Sequence, residues 1–196
     1  MRKGHIKLVF VAFLFIGLTV LNACKQKFNP KPRAYFRIDF PEKSYQQSNL
    51  SLYPYRFEYP NYAKLIADTS FMAEPYWLNI EIAKHKAKLH ISYKAIDNNL
   101  HLLTDESHEL AYKHAIKAIS INEKIFVNAP QNVWGTIYEI KGNTASPLQF
   151  HLTDSTNHFI RGSFYISEIP NYDSLQPVIN FIESDILHFI ETLNWE

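Results

Sequence analysis

Few side chains in this sequence have the type and spacing to do chemistry, and Cys24 stands first among them because it is the single cysteine of the chain. It closes the run Leu21-Asn22-Ala23-Cys24, an aliphatic residue and two small or polar ones before a thiol, which resembles the bacterial lipobox. That arrangement predicts a diacylglycerol on the thiol and a further acyl chain on the new N-terminus. At about 0.8 kcal/mol per buried CH₂, two or more chains make a stable membrane anchor where one is marginal. A second constellation is Asp105, His108 and Tyr112, which share one stripe of an expected helix and place a carboxylate beside an imidazole, the pairing a general base needs and also an ordinary surface hydrogen bond. His114, six residues beyond His108, falls about 240° around the axis and so on another face, which argues against a two-histidine metal site. The run Asp154-Ser155-Thr156-Asn157-His158 holds the residue types of a hydrolase triad, but triad members converge from different elements, and the composition reads as a turn. Arg161 follows on the next strand beside Gly162, where a glycine marks a bulge or a close backbone approach.

Composition removes several alternatives. Five glycines in 196 residues supply neither the spacing of a phosphate-cradling loop nor that of a nucleophile elbow. One thiol excludes an intramolecular disulfide framework and any zinc site with two thiolates. No cofactor, no metal and no catalytic residue is expected, and no small-molecule substrate is identified. Residues 1–23 carry Arg2, Lys3 and Lys7, no acid, and an apolar run over 8–21. At 14 residues that run falls short of the roughly 20 needed to span a bilayer, so it reads as a cleaved signal peptide. Without those three cations the remainder holds 17 basic and 19 acidic residues, a net of −2, which makes nucleic acid an unsuitable partner. The basic excess falls early, at Lys25, Lys27, Lys31, Arg33 and Arg37, and could meet anionic headgroups or remain a solvated tether. The 12 acids of residues 101–196 against five bases make the second half acidic.

The elements that would position these groups follow from periodicity. Residues 24–32, with Pro30 and Pro32, read as an extended linker, and 33–196 as one globular domain. Alternation predicts strands over 34–40 and 53–59, the latter with Pro54 at its start or at a sheet edge. The clearest hairpin joins 76–83 to 88–96 through Lys84, His85 and Lys86: Leu78, Ile80, Ile82, Leu89, Ile91 and Tyr93 share one face, and Asn79, Glu81, His90, Ser92 and Lys94 the other. A helix is expected over 100–119, then strands over 125–128, 133–141 and 148–153, the last pairing with 159–167. A final helix opens at Asp173 or Ser174, with Pro177 in its first turn, and carries Val178, Ile182, Ile186, Phe189 and Leu193 on one stripe. The fold class is α+β, a mainly antiparallel sheet of about seven strands packed with two main helices. Trp77, Trp134 and Trp195 raise glycan stacking, against the commoner reading of aromatics as sheet packing.

Six runs, in order, resemble one family: Tyr35-Phe-Arg-Ile-Asp-Phe-Pro-Glu-Lys43, Phe57-Glu-Tyr-Pro-Asn-Tyr-Ala63, Leu89-His-Ile-Ser-Tyr-Lys94, Glu106-Ser-His-Glu-Leu-Ala-Tyr-Lys-His114, Leu148-Gln-Phe-His-Leu-Thr-Asp-Ser-Thr156 and His158-Phe-Ile-Arg-Gly162. The family is that of the gliding motility lipoprotein GldD of Bacteroidota. The resemblance implies no reaction. It implies a lipid-anchored accessory of the gliding machinery and its type IX secretion system, held by acylated Cys24 at the outer membrane and facing the periplasm, with other machinery proteins as partners. The basic run Lys25-Gln26-Lys27 accords with retention on the periplasmic side, since surface-exported lipoproteins of that phylum commonly carry acids there. The candidate partner surface comprises Asp105, His108, Tyr112, His114, Asp154, His158 and Arg161. The competing class is a periplasmic cell-wall enzyme or glycan-binding module, which would bring Asp105, His108 and His158 to one deep pocket.

Overall fold

Alternating apolar and polar residues in the middle of the chain build one antiparallel sheet with two chemically different faces. The computed structural model describes residues 37–196, which form one contact unit; Cys24, the expected signal and linker, and residues 33–36 lie outside the described residues. The strands of the main sheet are β4 (Lys64–Ala67), β5 (Leu78–Ile82), β6 (Ala87–Ala95), β7 (Ala118–Asn128), β8 (Val133–Gly142), β9 (Leu148–Thr153) and β10 (His158–Ile166). Their order is β4-β5-β6-β10-β9-β8-β7, with every neighbouring pair antiparallel. The preceding β1 (Tyr45–Gln47), β2 (Tyr55–Arg56) and β3 (Glu58–Pro60), with the closing β11 (Asn194–Trp195), form two small two-stranded sheets, β1-β3 and β11-β2. Two helices complete the fold, α1 (Leu100–Tyr112) and α2 (Tyr172–Thr192).

The inner face is the core. Leu78, Ile80, Ile82, Leu89 and Ile91 of the predicted hairpin all lie there, buried with Phe150, Leu152, Ile160 and Phe164 from the centre of the sheet. The apolar stripe of α2 covers them with Ile182, Ile186, Phe189 and Ile190. The centre of this packing is Gly162. A Cβ at that position would stand 2.1 Å from Phe150 Cζ, so the phenyl ring occupies the space a side chain would take. Phe150 in turn packs on Phe189 of α2, with ring centroids 5.8 Å apart. The glycine is therefore a close-approach residue, one of the two readings its place in a strand allows.

Other expectations needed revision. The helix expected over 100–119 stops at Tyr112, and the chain unwinds through short-range turns, such as His114 N–H to Ala111 O, before entering β7 at Ala118. Ile119, which closes the helical stripe on paper, is 80% exposed, and Ile116 in the turn is 95% exposed. The β-branched residues Ile119, Ile121, Ile125 and Val127 favour the extended chain. Gly142, at φ +124°, lets the turn approach: a Cβ there would lie 2.8 Å from both Ile119 N and Lys117 O. β7 is thereby eleven residues long, with a register shift between Ala118 and Ser120.

The predicted strand over 53–59 divides at the buried Phe57 into β2 and β3, which join different small sheets; Pro54 immediately precedes β2. Residues 37–40 form no strand, although Ile38 and Phe40 pack on the core from a loop, Phe40 stacking on Phe181 at 4.3 Å. β1 and β4 were not read from the sequence. The N-cap of α2 is Asn171, whose Oδ1 accepts from Ser174 N–H at 3.3 Å, so the helix opens two or three residues early and Pro177 falls in its second turn.

The segment before the main sheet is fastened to α2 by one buried acid. Asp185, 3% exposed, accepts from Lys43 Nζ and Tyr45 OH through Oδ1, each at 2.9 Å, and from Tyr62 OH through Oδ2. Burial, and then the bond to Asp185, push the Tyr45 hydroxyl up to about 12 and that of Tyr62 higher still. Both hydroxyls therefore keep their protons at any physiological pH.

Because the ring of Phe150 fills the place of a Cβ, Gly162→Ala is expected to destabilise the fold by about 1–3 kcal/mol, the usual cost of overpacking. Urea denaturation should show a lower midpoint at unchanged slope. The double variant with Phe150→Leu should recover part of the loss.

Candidate functional site

The predicted surface residues divide into separate groups. On α1, His108 and Tyr112 stack at 4.3 Å between centroids, and both turn to β7: Tyr112 OH donates to Glu123 Oε1 at 2.6 Å, and His108 Nε2 lies 3.6 Å from the same oxygen. The hydrogen bond to Glu123 raises the Tyr112 pKa. Asp105 is exposed on the same helix, but the carboxylate engaging the imidazole of His108 is that of Glu123. His114 lies past the helix end, half-buried; burial, and then the charge of Arg161, lower its pKa.

Asp154 organises the β9–β10 turn. Its Oδ1 accepts from the backbone N–H of Thr156, Asn157 and His158 at 2.8–2.9 Å, and its Oδ2 from Thr156 Oγ1. Burial alone would raise this carboxyl; the backbone donors outweigh it and hold the pKa below the ordinary aspartate value. Ser155 takes the left-handed φ of 69° at the exposed tip. The imidazole of His158 contacts neither Asp154 nor Ser155: its Nδ1 lies 2.9 Å from Tyr93 OH, and its ring stacks on Trp195 at 5.2 Å. The turn is therefore built as a turn, and its acid, hydroxyl and imidazole are not in line for nucleophilic attack.

Arg161 belongs to a different environment. β10 alternates, so Phe159, Arg161 and Ser163 project to the outer face, opposite the core. The register sets Arg161 between Ser92 of β6 and His151 of β9, and Ser163 between His90 and Gln149. This layer should be solvated on a one-sided sheet, yet Gln149, His151 and Ser163 are 1%, 7% and 1% exposed. The cover is α1, which buries Leu103, Ser107 and Ala111 against the sheet. An open cleft of about 280 Å³ remains beside the helix, with Arg161, Ser92 and Lys94 on the sheet side and Glu106 and Ser107 on the helix side. Trp77, Leu103, Leu110 and Phe159 give it apolar walls.

The electrostatics of this layer are unusual. The Arg161 guanidinium donates through Nη2 to Gln149 Oε1. Burial lowers its pKa, offset in part by Tyr165 and Glu106. Among the described residues no acid forms an ion pair with it, and residues 1–36 contain neither Asp nor Glu. His151 is pushed down to about 4 by burial and by Arg161, against an opposing pull from Glu123; burial lowers His90 as well. Both rings are therefore neutral at pH 7. Ser107 Oγ, Gln149 Nε2, His151 Nδ1 and Ser163 Oγ are buried without a hydrogen-bond partner, each at a cost of roughly 1–3 kcal/mol. A comparable hollow between β8 and α2 is internally compensated, since Lys124 bonds Glu139 beside Glu183. Among the described residues no group of three His, Cys, Asp or Glu side chains could hold a metal ion.

Of the predicted candidates, then, Arg161 enters a cleft, Asp105, His108 and Tyr112 form an exposed strip towards β7, and Asp154 and His158 belong to the far turn. Sequence reasoning missed Ser107, Gln149, His151 and His90 as site residues, and read Trp77 as glycan stacking or sheet packing. Their signal was the polar register of β6 and β9, which reads as a solvent face until a helix is laid over it.

The architecture defines an α+β sheet domain with α2 sealing an apolar face and α1 half-closing a polar one over a buried cation. The model of the family described as gliding motility lipoprotein GldD matches residues 25–195, and the chain belongs to that family. Membership carries with it a lipoprotein's membrane attachment and a part in gliding motility. No curated protein matches the sequence. Among solved structures, the solution structure of cyanobacterial PsbP (CyanoP) from Synechocystis sp. PCC 6803 is similar at 13% identity and a TM-score of 0.49, covering 86% of this chain and 100% of its own. No helix among the described residues is long and apolar enough to cross a membrane.

Asp154→Asn keeps an acceptor oxygen but loses the charge that strengthens its bonds to three backbone donors, and is expected to cost about 1–2 kcal/mol, the difference between charged and neutral hydrogen bonds. Because the folded-state pKa is depressed, that contribution is complete above the ordinary aspartate value of 3.8 and vanishes as pH falls through the lower folded value. Stability curves of the two proteins between pH 2 and 7 should converge at the acid end.

Proposed function

We propose that the protein is a lipid-anchored accessory of the gliding machinery and of its associated type IX protein secretion, acting through protein contacts rather than catalysis. The observation that carries the reading is the extent of the family match, residues 25–195, which begins one residue after Cys24 and takes in all but the last residue of the described domain. Cys24 is the acylated residue in this reading, and residues 1–23 the cleaved signal. Residues 24–32 are the tether and 33–196 the working domain. The site is the outer membrane, facing the periplasm, a placement supported by the basic run Lys25-Gln26-Lys27.

The partner surface combines the α1 strip of Asp105, His108 and Tyr112 with His114, Asp154, His158 and Arg161. In the alternative, a cell-wall enzyme or glycan-binding module, Asp105, His108 and His158 would meet in one pocket; in the fold they lie on α1 and beside Trp195, and none lines the α1 cleft. Trp77 and Trp195 direct their indole N–H groups to the backbone oxygens of Tyr93 and Asn132, as packing residues do.

A deletion strain should lose both colony spreading and export of type IX cargo, and the wild-type chain should restore both. Normal motility and secretion in that strain would overturn the reading. Labelling with a fatty-acid analogue should mark the wild type and not Cys24→Ala; equal labelling would remove the anchor from it.

A further inference from the structure

We infer that the cleft between α1 and the outer face of the sheet is a binding site for a single carboxylate carried on an apolar body, with Arg161 as its anchor. Four observations converge on this. First, Arg161 is half-buried, lines the cleft and has no acidic partner in the chain, although a guanidinium presents five donors in a fork that fits a carboxylate. Second, its one hydrogen bond, to Gln149 Oε1, fixes the fork from behind and leaves its remaining donors for the open side.

Third, a second donor is ready at the helix wall. Ser107 lines the cleft, is 2% exposed and has an unpartnered Oγ, which one rotation about χ1 turns toward a ligand oxygen. Fourth, the charges of the cleft limit the ligand. Lys94 is bonded to Glu74, and Glu106 acts on Arg161 from beyond ion-pair distance, so two cations and two acids balance and the guanidinium keeps its donors unpaired by any acid. A monoanion adds one negative charge against the fork of donors. A phosphate dianion would add more beside Glu106.

The walls specify what the carboxylate is attached to. Trp77, Leu103, Leu110 and Phe159 offer apolar and aromatic surface to a ring or a branched side chain, and the volume admits one such group. Two sources have this chemistry, a free aromatic or aliphatic acid and the C-terminal residue of a peptide chain. The inference does not rest on the motility reading, because it concerns binding by the protein alone.

The test is a titration of the full chain in detergent, followed by tryptophan fluorescence, with Trp77 as the reporting wall. The probes are benzoate, an acetylated tripeptide ending in Phe with a free carboxyl, the same peptide as its C-terminal amide, and inorganic phosphate. At least one of the two carboxylates should saturate the signal, while the amide and phosphate do not at equal concentration. Saturation by benzoate alone assigns a free acid, and saturation by the peptide acid assigns a chain end. Arg161→Gln should weaken binding by roughly 10-fold or more, the loss of a charge-assisted pair. Glu106→Gln, at an exposed helix position where folding is not at stake, should tighten it about 2- to 5-fold by removing a like charge. Absence of saturation by either carboxylate, tighter binding of phosphate, or an affinity unchanged in Arg161→Gln would overturn the inference. If Arg161→Gln does not fold, Glu106→Gln decides: unchanged or weakened affinity overturns it.

Discussion

The missing side chain at Gly162 is the constraint on which the rest of the molecule turns. With Phe150 lying where a Cβ would project, the centre of the sheet is flat enough for Phe189 to reach it, and α2 can lie along the whole apolar face. That placement gathers the apolar residues of the central strands into one core. The outer face is left with the other half of each alternating strand, Asn79, His90, Ser92, Gln149, His151, Arg161 and Ser163. A second helix over such a face can gain little from hydrophobic burial. Accordingly α1 touches down through a narrow seam, Leu103, Ser107 and Ala111, and leaves a cleft at its flank.

Much of this was legible from the sequence, because the two periodicities were clean where the core is. The hairpin of β5 and β6, the β9–β10 pair across its Asp154 turn, and the stripe of α2 all stand where alternation and 3.6-residue spacing put them. Failure came where one residue type served two patterns. Ile119 extends the apolar stripe of α1 on a helical wheel, yet its β-branching and the close approach at Gly142 favour the strand. Over residues 53–59 the alternation was real, but Phe57 is the buried break between two pairings instead of the middle of one.

The candidate site was legible only at Arg161, for a physical reason. A polar residue on alternate positions of a strand has the same signature whether water or a helix lies above it. What distinguishes the two is tertiary: the orphaned donors of Ser107, Gln149 and Ser163, the neutral imidazole of His151 and an arginine that forms no ion pair among the described residues. Such a layer is expensive, and a chain selected for stability alone would fill it with packed apolar groups. Its presence here accords with a recognition surface more readily than with a scaffold.

The clasp at Asp185 has a mechanical side. The chain enters the described domain at Arg37 and reaches Lys43 and Tyr45 within nine residues, where a carboxylate on the middle of α2 holds both, with Tyr62 behind them. Tension applied from the N-terminal side would therefore meet the Lys84 bond to Asp39 O and the Phe40–Phe181 contact, then the bonds of Lys43 and Tyr45 to Asp185, and afterwards the short β1–β3 ladder. Since α2 rests on the Phe150–Gly162 contact, the load path runs from the N-terminal segment into the most densely packed part of the molecule. The sheet's polar face, with its cleft, lies off that path.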